Sequence, residues 1–177
     1  MKSNLKFFKK AKALPVDKFF YNVLFDKKFG YYSSKNPFGK SGDFITAPKI
    51  SKLFSEIIAI WIVSTWEKYG KPKKINVIEL GPGDGSLMKV LLEVFYKFPE
   101  FNAAKRILLY EKNTFFKNKQ KLFFKNKDVK WINNFTNVKE GPVIFFGNEF
   151  FDAIPIKQFK KKESQFYEKY YVVGKDY

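Results

Sequence analysis

Glu79, Gly81, Gly83 and Gly85 fall within one short run, Val77-Ile78-Glu79-Leu80-Gly81-Pro82-Gly83-Asp84-Gly85. Glu111, Asn133, Asn148, Glu149 and Asp152 follow at the ends of later apolar runs. Glycines at alternate positions let a backbone pass close to a ligand, and a helix that opens there offers its first N–H groups. A nearby carboxylate accepts hydrogen bonds from hydroxyls and attracts cations. Together these residues make a nucleotide-type cofactor site. The spacing is Gly-x-Gly-x-Gly with an acid before it. It is not the dinucleotide spacing Gly-x-Gly-x-x-Gly, and it suits S-adenosylmethionine better than NAD. A tight strand-to-helix turn without a ligand is the plainer alternative.

Missing residue types narrow the chemistry. The chain has no histidine and no cysteine. That removes Ser-His-Asp and Cys-His hydrolases, disulfides, thiolate metal sites and ordinary zinc enzymes, so no metal is expected. Methyl transfer needs none of these groups, because a sulfonium methyl is already activated and the enzyme has mainly to align the acceptor and exclude water.

Periodicity places these residues on elements. Pro15 to Phe25 and Ile50 to Tyr69 read as helices, the second capped by Ser51 and stopped by Gly70. Lys73 to Leu80 reads as a strand, Ser86 to Phe98 as a helix, Arg106 to Glu111 as a second strand and Thr114 to Phe124 as a helix. Val129 to Ile132 and Pro142 to Gly147 are further strands, and Phe166 to Val173 is a hairpin arm or edge strand. Asp26 to Pro48 is expected to be loop, and Trp61 and Trp66 to be core. Alternating strands and helices predict an α/β fold with a parallel sheet and helices on both faces. Ligands in such sheets sit beyond the C-terminal strand ends, where Glu79, Glu111, Asn133 and Asn148-Glu149 fall. The expected organisation is an N-terminal helical and loop segment over residues 1–72 that covers the cofactor site, followed by a cofactor-binding core over 73–177, together forming one structural domain.

Three separated stretches carry a family resemblance. They are Phe38-Gly39-Lys40-Ser41-Gly42-Asp43-Phe44-Ile45-Thr46-Ala47-Pro48, Glu79-Leu80-Gly81-Pro82-Gly83, and Asn148-Glu149-Phe150-Phe151-Asp152-Ala153-Ile154-Pro155. In this order they resemble the MidA-like methyltransferases, relatives of the mitochondrial complex I assembly methyltransferase. The resemblance implies a Rossmann-like class I S-adenosylmethionine-dependent methyltransferase fold and, for mitochondrial members, methylation of an arginine on a respiratory complex I subunit. It implies a cofactor set of Glu79, Gly81, Gly83, Gly85, Glu111, Asn133, Asp43 and Thr46. Asn148, Glu149 and Asp152 are the candidate catalytic residues, two carboxylates and an amide that would orient a guanidinium. Lys49, Ser55 and Tyr167 stand where the family usually has Glu, Gly and Trp. Family members are longer, so the sheet is expected to be incomplete at its C-terminal side.

Net charge is +17 over 177 residues. Arg106 is the single arginine, and the lysines are spread over every segment. Specific nucleic-acid readers favour the arginine fork, so the charge argues for a solvated surface and a protein partner rather than for nucleic acid. The longest apolar run, Ile57 to Val63, is too short to span a bilayer. Met1 to Leu14 is basic without the features of a secretory signal, which predicts a cytoplasmic protein in a bacterium, or a matrix protein in a eukaryote. A catalytically silent assembly factor and a nucleic-acid methyltransferase are the two alternative functions.

Overall fold

The computed structural model describes residues 13–26, 28–34, 47–138 and 140–172. The chain divides into two compact units, Phe38–Phe150 and a second made of Met1–Pro37 with Phe151–Tyr177.

The larger unit is built on a four-stranded parallel sheet. Its strands are β2 (Ile75–Leu80), β3 (Lys105–Tyr110), β4 (Val129–Ile132) and β5 (Val143–Phe146), in the spatial order β4-β3-β2-β5. β2 is central, all six of its residues are buried, and its Ile and Val side chains suit a strand covered on both faces. The chain moves outward from β2 to β3 to β4 and then returns to the other side of β2 for β5. That reversal creates a crevice between β2 and β5 at their C-terminal ends.

One face of the sheet meets the helices. α4 (Lys52–Lys68) contributes Ala59, Ile62, Val63 and Trp66, and α5 (Ser86–Phe95) contributes Leu87, Met88, Leu91, Val94 and Phe95 to the same core as Ile75, Val77, Ile107 and Leu109. The Phe95 and Phe101 rings meet edge to face at 4.8 Å, and Trp66 meets Phe101 at 5.4 Å. The other face carries a smaller cluster, Ile78, Leu80, Leu108 and Ile132, against which Tyr110, Val138, Val143 and Phe150 pack.

Chain punctuation explains where the elements stop. α4 ends as expected at Gly70 (φ +79°), where Gly70 N–H donates to Glu67 O at 2.9 Å and Lys71 N–H to Trp66 O at 3.1 Å, the pair of bonds of a Schellman motif. The predicted helix Ser86 to Phe98 stops at Phe95, and a new helix, α6 (Pro99–Ala104), begins with proline in its first turn. Proline cannot continue a helix from within but is preorganised to start one. Ala47–Ile50 forms a one-turn helix, α3, where irregular chain is expected. α7 (Thr114–Phe123) is capped by Asn113, whose side chain accepts from Phe115 N at 2.9 Å. Trp66 is core as expected, but Trp61 is 53% exposed on the outer side of α4. That helix is apolar on nearly all sides, so periodicity alone does not separate its inner face from its outer one.

The smaller unit contains β1 (Ala13–Pro15), α1 (Val16–Phe25), α2 (Tyr31–Ser34), a hairpin of β6 (Phe159–Lys162) with β7 (Gln165–Glu168), and β8 (Tyr170–Val172). β1 pairs antiparallel with β8, and Phe19 of α1 packs on Tyr171 at 4.3 Å. The expected C-terminal arm is thus two strands broken at Lys169, with the hairpin beginning earlier, at Phe159. The hairpin turn places Glu163 in the left-handed region (φ +54°).

Replacing Phe95 by alanine removes a fully buried ring from the junction of α5 and α6. A loss of about 3–5 kcal/mol is expected, read from the urea midpoint; a loss below about 1 kcal/mol would contradict this description of the core.

Candidate functional site

The site forms where β2 ends. Alternation along the strand puts Glu79 on the same face as Ile75 and Val77. The residue is 2% exposed, and its Oε2 has no hydrogen-bond partner among the described residues. Burial, then the neighbouring charges of Glu111 and Asp84, push its pKa up to about 8. A buried polar oxygen left unpaired is costly, so such a group usually marks a place where a partner belongs.

The chain leaves the strand through the glycine turn. Gly81 N–H donates to Tyr110 O at 3.0 Å, extending the β2–β3 ladder by one step. Gly81, Gly83 and Gly85 all have positive φ, at 63°, 55° and 82°. A Cβ on Gly81 would fall 2.6 Å from the Phe150 ring, and one on Gly85 2.9 Å from the Phe124 ring. Both space and backbone conformation therefore demand glycine at these positions. Asp84 Oδ1 accepts from Ser86 N–H at 3.1 Å at the opening of α5.

Glu111 lies one residue beyond β3. Its Oε1 accepts from Asn113 N–H at 2.8 Å and its Oε2 from Gln120 Nε2 at 3.4 Å. Burial raises its pKa, while hydrogen bonds from the Asn113 backbone, the Gln120 side chain and the Gly83 and Lys112 backbones pull it back. Gln120, fully buried on α7, also donates to Gly83 O at 2.6 Å and accepts from Trp131 Nε1 at 2.8 Å. Sequence reasoning missed it. Its one signal is a glutamine midway in the row Phe116, Gln120, Phe124 at four-residue spacing, a helix face that is otherwise apolar.

Glu79, Gly81, Gly83, Gly85 and Glu111 are thus brought together at one end of the sheet. Asn133 is exposed beyond β4 and accepts from Lys117 Nζ at 2.9 Å. Asn148 and Glu149 follow β5 across the crevice from β2. Glu149 is exposed with φ +50°, an uncommon conformation for a residue with a side chain. Asp152 belongs to the smaller unit, in the single 3-10 turn Phe151–Ala153. The segment 148–150 is not helical, so the expected helical turn carrying Glu149 and Asp152 on one side is replaced by a bend with a left-handed step at Glu149 and that short turn. Asp43 and Thr46 lie outside the described residues. Trp131 packs against the main core with its indole N–H on Gln120. No group of three or more potential metal ligands occurs among the described residues, and no helix among them is long and apolar enough to cross a membrane.

A parallel sheet whose strand order reverses at β2, with acids and a glycine turn at the strand ends, places the chain in the nucleotide-binding class of α/β fold. The family model for S-adenosyl-L-methionine-dependent methyltransferases matches residues 57–176, and the chain belongs to this family. A mitochondrial protein arginine methyltransferase NDUFAF7 homolog of Drosophila melanogaster is 31% identical over 176 residues, covering 88% of this chain and 40% of that protein. The Homo sapiens NDUFAF7 protein is 29% identical over 177 residues, with 86% and 40% covered. The chain therefore spans about two fifths of the length of these curated relatives. A crystal structure from Burkholderia thailandensis, bound to S-adenosyl-homocysteine, shares the fold with a TM-score of 0.75 at 21% identity, covering 98% of this chain and 46% of that one. The Rossmann-like fold and the family expected from the sequence are both found.

The raised pKa of Glu79 makes stability depend on pH. The folded state keeps a proton that the unfolded chain loses above about pH 4.5, so stability falls as pH rises from there to about 8 and then levels off. Glu111 contributes in the same direction. Between about pH 5 and about pH 9 the decline is a few kcal/mol, at most about 5. Glu79→Gln should flatten most of it, as read from urea midpoints; an equal slope in variant and wild type would show that Glu79 is not the titrating group.

Proposed function

We propose that this chain binds S-adenosylmethionine against the turn that follows Leu80 and transfers its methyl group to an arginine of a protein. The observation that carries the reading is the buried Glu79 carboxyl, with one oxygen unpartnered among the described residues, beside Glu111, Asp84 and the glycine turn. The residues fit the cofactor, since three clustered acids suit a ligand with an ammonium and a sulfonium, whose charge favours their ionised forms, and Glu111 has the chemistry to accept from a ribose diol. When bound, S-adenosylmethionine supplies a methyl activated by sulfonium charge.

The chain's own residues do the rest. Gly81, Gly83 and Gly85 leave room for the backbone to approach the ligand. Glu79 and Asp84 counter its positive charge, Glu111 holds the sugar, and Asn133, Asp43 and Thr46 complete the proposed cofactor set. Glu149, Asp152 and Asn148 are assigned to the acceptor. An arginine must present a nitrogen lone pair although its guanidinium is cationic, and carboxylates beside it localise the charge on the other nitrogens. The position of Glu149 just past β5, at the reversal of strand order, supports this role. The names of the relatives support a protein arginine as acceptor. A respiratory complex I subunit is the target the family resemblance favours, in the mitochondrial matrix if the chain is eukaryotic.

Isothermal titration with S-adenosylmethionine, followed by transfer of labelled methyl groups to lysate protein under protease and nuclease controls, tests the reading. Saturable binding and protease-sensitive label are expected. Absence of binding would refute the assignment, and nuclease-sensitive label would refute the protein acceptor. Gly83→Val should abolish binding, because Gly83 sits at φ +55° and a branched side chain there crowds the turn. Glu149→Gln should lower kcat by about tenfold or more with little change in cofactor affinity; equal loss of both would remove Glu149 from the acceptor side.

A further inference from the structure

Among the described residues, Gln120 is the one buried polar side chain at the turn that the proposed function leaves without a task. A leucine or methionine of similar volume would fill its place among Phe116 and Phe124 with no polar atom to satisfy, so the amide is carried for its hydrogen bonds. Those bonds fix its orientation. Trp131 Nε1 can only donate, so the atom it meets at 2.8 Å is the amide oxygen. The amino end must then face the other way, and it has two hydrogens for two acceptors, Gly83 O at 2.6 Å and Glu111 Oε2 at 3.4 Å. One rigidly held side chain thus ties the second glycine of the turn to the carboxylate beyond β3. The other oxygen of that carboxylate is fixed by Asn113 N–H at 2.8 Å, so the plane of Glu111 is set from both sides.

We propose that Gln120 is a positioning residue for ribose recognition: clamped by Trp131, it holds the Glu111 carboxylate at a fixed distance from the Gly83 turn, so that both hydroxyls of the donor's ribose are read at once. The inference rests on the proposed donor site. It extends that site to a residue one hydrogen bond behind Glu111, in the chain Trp131 to Gln120 to Glu111, which in this role does not itself touch the ligand. Hydrogen bonds to a charged group are among the stronger ones, and their geometry decides whether two hydroxyls can be accepted together.

The test uses the whole chain and its Gln120→Met and Trp131→Phe variants. Affinities are measured for S-adenosylhomocysteine and for its 2′,3′-dideoxy analogue, and the Glu111 carboxyl is titrated by carbon NMR without ligand. Wild type should prefer the ribose form. Gln120→Met should bind S-adenosylhomocysteine about tenfold or more weakly while binding the dideoxy analogue nearly as before, so that the preference collapses, and Glu111 should titrate at higher pH. Trp131→Phe should move both readouts the same way by a smaller amount, and it carries the test if the methionine variant does not fold. A folded variant that retains the full ribose preference and an unchanged Glu111 titration overturns the inference alone. A wild-type chain that takes up no S-adenosylhomocysteine overturns the donor-site reading and this inference together.

Discussion

A carboxyl group buried at the end of the central strand is the constraint around which the rest of the site is arranged. Glu79 sits on a strand with no exposed residue, faces the main core and has like charges as its nearest electrostatic neighbours. A lone acid in that position works against folding, because burial disfavours its charged form and the unpaired oxygen forgoes a hydrogen bond. The fold tolerates it because β2 is locked by parallel pairing on both sides and by the aromatic core of α4, α5 and α6. Local strain held by a well-packed surround is how a protein keeps a binding site that its own side chains do not fill.

Two carboxyls at adjacent strand ends are both pushed up by burial but differ in the hydrogen bonds they receive. Among the described residues Glu79 gains no compensating hydrogen bond at Oε2, and it is held largely protonated at neutral pH. Glu111 is pushed in the same direction by burial but receives hydrogen bonds from backbone and side chain, which favour its charge. In the proposed reading Glu79 faces the cationic part of the donor and Glu111 accepts from its hydroxyls. The glycine turn runs between them, with Gly81 close to the Phe150 ring and Gly85 close to the Phe124 ring.

The strands were legible because fully covered parallel strands are written as short runs of Ile, Val, Leu and Phe, and Val129–Ile132 is bounded as expected to the residue. Glu79, Glu111 and the glycines were legible because strand ends in a parallel sheet converge on one crevice. What escaped was set by context. α6 is hidden behind Phe98-Pro99, where proline reads as a stop and also acts as a start. The outward turn of Trp61 is invisible in a helix apolar all round. Gln120 lies between lysines in a lysine-rich helix and reads as one more solvated residue, although the fold directs it inward to three polar partners. The helical turn expected for Glu149 and Asp152 failed because the chain beyond β5 takes a left-handed step at Glu149 in place of a helix start.

The central claim is that the crevice beyond β2 receives the methyl donor, with Glu111 at its sugar. A crystal structure of the chain with S-adenosylhomocysteine tests this most directly. The account predicts ribose hydroxyls within hydrogen-bond distance of the Glu111 carboxylate and the ligand's backbone contacts at Gly81 to Gly85. A ligand lodged elsewhere, with the Phe150 ring and its neighbours filling the space beside Glu79, would contradict it.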